Sequence, residues 1–281
     1  MASAGVLLGL MPANFSTIGS TIVETALISL VAERPLLALL LAAGSPAIAP
    51  LRPFEYPEPN ELMKPQHQGA AGYEFPRYKR KGKIAIVAIE YTVAVAAVAN
   101  VAAISYDIGV KAIFSVWVET MYDPLLWAFL TVPIHVLACI SSWLLIQTHR
   151  SDTADQSGSN RKRRRVRVWL ENEFTPSAYH VPSSVTRMKT TVQFLFFSWF
   201  TQLSTVVYIF YGTSHWSSIL FVGAADAPKI AARYFTSVVV CRAIVSHEIA
   251  GLRQAYALHH NNVAPPLEIS DQVQSPGAAG K

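Results

Sequence analysis

Residues 84–106 read IAIVAIEYTVAVAAVANVAAISY. As a helix this run extends about 35 Å, enough to cross a hydrocarbon layer of about 30 Å. Before the closing Tyr106 its only ionisable side chains are Glu90 and Tyr91. A soluble helix of this length would show a polar stripe every turn, and this one shows none. It is therefore read as a membrane span, and the rest of the chain is judged against it.

The composition agrees. Of 281 residues, 52% are hydrophobic and only 15% charged, with a mean hydropathy of +0.31, whereas soluble domains carry about a quarter charged residues. Three further apolar stretches follow, over 125–146, 192–211 and 219–249. Pro133 interrupts the second and predicts a kink there, tolerated within a membrane. The third is followed by GTSHWS, read as a short turn. The fourth exceeds a perpendicular crossing and carries Asp226, Lys229, Arg233 and Arg242. The expected fold is thus all-α, a polytopic membrane helix bundle of four transmembrane helices within residues 84–250.

Upstream, residues 1–45 form a membrane-associated N-terminal segment. Glu24, Glu33, Arg34 and Pro35 interrupt its apolar text, so it is read as interfacial or re-entrant helices rather than a fifth span. No basic residue precedes the short apolar run at 6–10, which argues against a secretory signal. Residues 46–83 are a proline-rich linker with a basic end, and 251–281 a cytosolic tail read as disordered.

Charge placement predicts orientation. Five basic residues, Arg77 to Lys83, precede the first span, and nine lie in the loop 147–191, while Asp107, Glu119 and Asp123 outnumber Lys111 between the first two spans. Lysine and arginine accumulate in cytoplasmic loops, so four spans with cytosolic termini, in the plasma membrane or an endomembrane, are expected. Tyr106, Trp117, Tyr122, Trp127, Tyr211 and Trp216 then form an outer aromatic belt, with Tyr78, Trp143 and Trp169 at the inner face.

Candidate functional residues are few and scattered. Asn100, His135, Gln202 and Arg233 lie at intermediate depth in the four spans and are candidates for a shared polar cavity; the simpler reading gives each a separate interhelical hydrogen bond. Glu90 and Arg242 reach similar depth and form a candidate intramembrane pair, as do Asp226 and Lys229 at i,i+3. Ala85, Ala88, Thr92, Ala96, Ala99 and Ala103 make a small-residue seam on the first span, expected to pack within the chain. Arg161, Lys162, Arg163, Arg164, Arg165 and Arg167 form either an anionic-lipid patch or a topology signal without a ligand. Nucleic acid is a poor fit for such a run beside a span.

Cys139 and Cys241 fall within apolar text and are read as core thiols. His247-Glu248 lacks the second histidine of a zinc-protease helix, and His259-His260 lacks a third ligand at a usual spacing. No metal and no cofactor is therefore assigned, and with no phosphate loop or nucleophile elbow there is no catalytic motif.

The blocks STIVETALISLVAERPLLALLLAAGSPAIAPLRPFEY and GAADAPKIAARYFTSVVVCRAIVSHEIAGL resemble uncharacterised multi-pass membrane proteins of filamentous fungi. That resemblance implies a fungal membrane protein and carries over no functional residue. The leading expectation is a membrane scaffold or accessory subunit with a protein partner or a second copy; the alternative is a small-solute carrier or channel using Asn100, His135, Gln202 and Arg233. The sequon Asn14-Phe15-Ser16 accepts a glycan only if the N-terminus is lumenal. The expected outcome is that glycosidase treatment and Asn14→Gln both leave electrophoretic mobility unchanged; a shift removed by both places Asn14 on the lumenal side.

Overall fold

The computed structural model describes residues 2–50, 79–115, 121–149, 168–179, 184–187, 191–220 and 222–263. The chain is an all-α bundle and a membrane protein: four helical spans are long and apolar enough to cross a bilayer. They are α4 (Arg80–Lys111), the broken pair α5 (Asp123–Phe129) and α6 (Thr131–Leu145), α7 (Val192–Ser217) and α8 (Asp226–Val263). Helix α1 (Ala2–Ile18), α2 (Ile22–Leu30) and α3 (Pro35–Gly44) precede them.

Three boundaries differ from the sequence reading, the first being that α8 continues to Val263, so residues 251–263 of the expected disordered tail are helical. GTSHWS is not a turn but the last turns of α7, and the connection follows it. The fourth helix begins at Asp226, not at residue 219. Ile219–Leu220 instead pairs antiparallel with Ile113–Phe114 and ties the two loops at that end together. Starting at Asp226 puts an acidic side chain in the first turn and Pro228 where no intrahelical N–H bond is lost. Pro133 acts similarly: the predicted kink appears as an interruption at Leu130, and the proline falls in the first turn of α6.

The spans pack as two pairs, α4 with α8 and α6 with α7. Glu90 meets His247, Asn100 meets Ser237 and Ser105 meets Tyr234, so numbering rises along α4 as it falls along α8, and the two are antiparallel. The N-terminal helices fill the space between the pairs. Helix α1 touches α7 and α8, α2 touches α6 and α8, and α3 touches α4, α6 and α8. Leu8, Ile28, Leu37 and Ile48 are fully buried, so this segment is the bundle's centre.

Its course doubles back within the bundle. Gly5 and Gly9 lie against Ser217 at the end of α7; Phe15 then meets Phe235, Glu24 meets Arg242 and Arg34 meets Glu248. The segment therefore descends beside α8 and turns at Glu33, whose φ of 53° closes the hairpin. Pro35 opens α3, a position suited to a residue without an N–H, and α3 climbs back until Gly44 lies against Cys241 and Ala97. Thr21 and Glu24 form a reciprocal capping box that starts α2, as expected for that pair of residue types. Helix α1 thus begins at the bundle end opposite Lys79 and the close of α8, rather than at the same end as the C-terminal helix terminus.

Trp127 and Trp216, expected at the outer membrane boundary, are fully buried with Tyr208 and Tyr234. The rings stack or meet edge to face at centroid distances of 5.4–5.8 Å. Gly212 makes room for the Trp127 indole, since any Cβ there would lie 2.2 Å from Nε1. Trp143 and Tyr106 remain exposed.

At the opposite end, the 3₁₀ turn Ser177–Tyr179 docks on α8 at Gly251. A Cβ at 251 would stand 2.8 Å from the Ala178 backbone nitrogen, and backbone yields little to such a clash. Gly251→Ala is expected to lower stability by about 1–3 kcal/mol, the usual range for overpacking, read as a fall in thermal midpoint of the detergent-solubilised protein.

Candidate functional site

The docked turn covers a group of ionisable side chains drawn from four segments. Arg34, in the turn between α2 and α3, is 0% exposed. Its Nη1 lies 3.0 Å from Glu90 Oε2 on α4 and 2.6 Å from Glu248 Oε2 on α8. Its Nε donates to the Glu173 carbonyl oxygen at 3.0 Å, and its guanidinium carbon sits 5.8 Å from the centre of the Tyr91 ring. Burial acts to lower the Arg34 pKa, but the carboxylates of Glu248 and Glu90 outweigh it and hold the guanidinium charged.

Each carboxylate is positioned by further bonds. Glu173 Oε1 accepts from the Leu37 amide at 3.0 Å and from the Tyr91 hydroxyl. Ser177 Oγ donates to Glu248 Oε2. His247 Nδ1 lies 3.1 Å from Glu90 Oε1 and 3.8 Å from Glu248 Oε1. Glu248 Oε1 itself has no hydrogen-bond partner among the described residues, though it is buried. Two carboxylates thus pair with one guanidinium, which also binds the Glu173 carbonyl, in a setting where lone buried charges are expensive.

The sequence-derived candidates fall in different places. Glu90 and Arg242, expected as a pair, take different partners: Glu90 binds Arg34 and His247, and Arg242 binds Glu24. Depth alone set up that expectation, and the N-terminal segment that interposes between the two residues supplies the opposite charges. Asp226 and Lys229 lie 3.1 Å apart on the exposed start of α8. Asn100 and Arg233 are brought together: Asn100 Oδ1 accepts from Nε at 3.1 Å and Nη2 at 3.0 Å, and its amide donates to Ser237 Oγ at 2.8 Å. Arg233 nonetheless remains exposed.

His135 lies elsewhere. Its Nδ1 donates to the Thr131 carbonyl at 2.8 Å, and its ring lines an apolar cavity of about 430 Å³ between α2, α3 and α6, beside Cys139. Gln202, half-buried on α7, bonds to none of the other three. The four residues therefore do not line one cavity. The patch Arg161, Lys162, Arg163, Arg164, Arg165 and Arg167 lies outside the described residues. Asn14 is exposed on α1 next to Phe15, which sits at the depth of Phe235, well inside the bundle.

The small-residue seam also departs from expectation. Ala85, Ala88, Thr92, Ala96, Ala99 and Ala103 are all exposed, because α4 packs inward through Val87, Glu90, Ala94, Ala97, Val101, Ile104 and Ile108. Both faces follow helical spacing, and spacing alone did not say which of them the core would take.

No family model, no curated protein and no solved structure matches this chain. What defines it is a membrane helix bundle with a buried carboxylate and guanidinium network at one end. Arg34→Met leaves that network without its cation, a change that typically costs about 3–5 kcal/mol when a buried pair is broken. The expected result is a large fall in thermal midpoint, partly recovered when Glu248→Gln is added; equal and additive losses would show the two side chains to be independent.

Proposed function

We propose that the protein is a membrane scaffold or accessory subunit that docks another transmembrane helix along α4. The observation that carries this reading is the exposed seam of Ala85, Ala88, Thr92, Ala96, Ala99 and Ala103. Helices in lipid associate through close backbone approach at small residues, and this chain directs such a face outward along most of a span. Beside it, Asn100 holds Arg233 at the bundle surface. An arginine within a membrane costs about 2.5–3.5 kcal/mol on insertion scales, which a partner carrying an acceptor or acidic group would offset.

In this reading the end bearing Lys79, Lys81 and Lys83 faces the cytosol, following the lysine and arginine bias, and α1 starts near the opposite face. The basic loop adds attraction to anionic lipid. The carrier alternative gains no support from the separated positions of His135, Gln202 and the Asn100–Arg233 pair.

The test is affinity purification of the full chain in mild detergent with native mass measurement. Wild type is expected to run with a stoichiometric partner or second copy. Ala96→Leu with Ala99→Leu should release it with the thermal midpoint unchanged, since both positions lie outside the core. A wild-type chain that runs alone in its native membrane extract would overturn the reading.

A further inference from the structure

The charge network leaves three atoms turned toward one another. Both outer carboxylate oxygens are occupied: Arg34 Nη1 holds Glu90 Oε2 and Glu248 Oε2, and Ser177 Oγ also donates to the latter. His247 Nδ1 faces the other oxygen of each carboxylate, Glu90 Oε1 and Glu248 Oε1, and the three residues each offer one ligand atom within 4.8 Å of the others. The two separations from Nδ1 are 3.1 and 3.8 Å. Ligands on a tetrahedral metal with bonds of about 2.0–2.1 Å stand roughly 3.3 Å apart, which falls between those values.

We propose that Glu90, His247 and Glu248 form a binding site for a divalent transition-metal ion such as Zn²⁺. One feature besides the acidic cluster points to a cation. Glu248 Oε1 is buried on a residue 1% exposed and has no hydrogen-bond partner among the described residues; a metal gives it one.

One imidazole nitrogen with two carboxylate oxygens suits zinc and its neighbours better than magnesium or calcium, which favour all-oxygen shells. Arg34 and Ser177 are then the residues that orient the ligating carboxylates through their second oxygens, a role whose loss typically weakens metal binding by 10–100-fold. The His247 side chain is 40% exposed, so an ion has a route to the site from the bundle flank. The inference stands apart from the docking role proposed for α4, which involves the opposite face of that helix.

The full-length protein, purified in mild detergent and stripped with chelator, is to be titrated with ZnCl₂. Elemental analysis and titration calorimetry should find one zinc per chain, accompanied by a rise in thermal midpoint. His247→Gln and Glu248→Gln should each weaken binding at least tenfold, and Ser177→Ala by about tenfold. Asp107→Asn, an exposed acid of the same chain, should titrate as wild type. Should Glu248→Gln fail to fold, the half-exposed His247→Gln carries the comparison. Zinc no higher than the stripped blank in wild type, or unchanged affinity in folded His247→Gln, overturns the proposal.

Discussion

The arrangement of the bundle depends on Arg34. A fully buried guanidinium needs anionic partners, and here they come from α4 and α8, while the segment that follows α6 adds a backbone carbonyl. Because Arg34 sits at the turn between α2 and α3, satisfying it fixes how deep the N-terminal hairpin inserts. Removing any one member would leave a charge where water cannot replace the lost contact, so the cluster acts as a joint requirement on four segments. The capping box at Thr21, the φ of 53° at Glu33 and the proline that opens α3 serve the same end by fixing the hairpin's geometry.

The two ends of the bundle solve different problems. At one end, charge is neutralised by charge and covered by the turn docked on Gly251. At the other, Trp127, Tyr208, Trp216 and Tyr234 pack as an aromatic block, supported by the short pairing of Ile113–Phe114 with Ile219–Leu220. Between them the polar side chains of α7 turn back on their own helix: Thr201 donates to the Phe197 carbonyl and Thr205 to that of Thr201. Such local bonds let hydroxyls reside in an apolar setting without a partner helix. The Arg34 ion pairs with Glu90 and Glu248 sit at one level, while Asp123, His135 and His215 are buried elsewhere.

The outward faces matter equally for function. Helix α7 presents Phe196, Trp199, Phe200, Val206 and Phe210, bulky groups suited to lipid. Helix α4 presents a seam of alanines and a threonine among Ile84, Ile89, Val95 and Val110, beside an arginine that a bare lipid surface would disfavour. These two surfaces differ in side-chain volume and polarity, which is why α4 is the face assigned to a partner. Volume and hydrogen bonding, not hydrophobicity, separate them, since both are apolar enough for a membrane.

Four spans, their approximate limits and the basic loops were legible in the sequence because length and hydropathy alone satisfy the bilayer's demand for internal backbone hydrogen bonding. Helix ends were less legible: GTSHWS continues α7, and residues 219–225 precede α8, because loop packing decides where helical bonding stops. Asp226 with Lys229 is a local pair and could be read from spacing. The principal site could not, because Glu90 and His247 are separated by 157 positions and Arg34 belonged to text that hydropathy marked as an interrupted, unspanning segment. Only the tertiary structure decided that this segment fills the centre of the bundle, that Glu90 meets Arg34 instead of Arg242, and that the alanine seam faces outward. The physical reason is that sequence periodicity fixes which residues share a helix face, whereas the neighbour that a face meets depends on how all the helices share the limited interior.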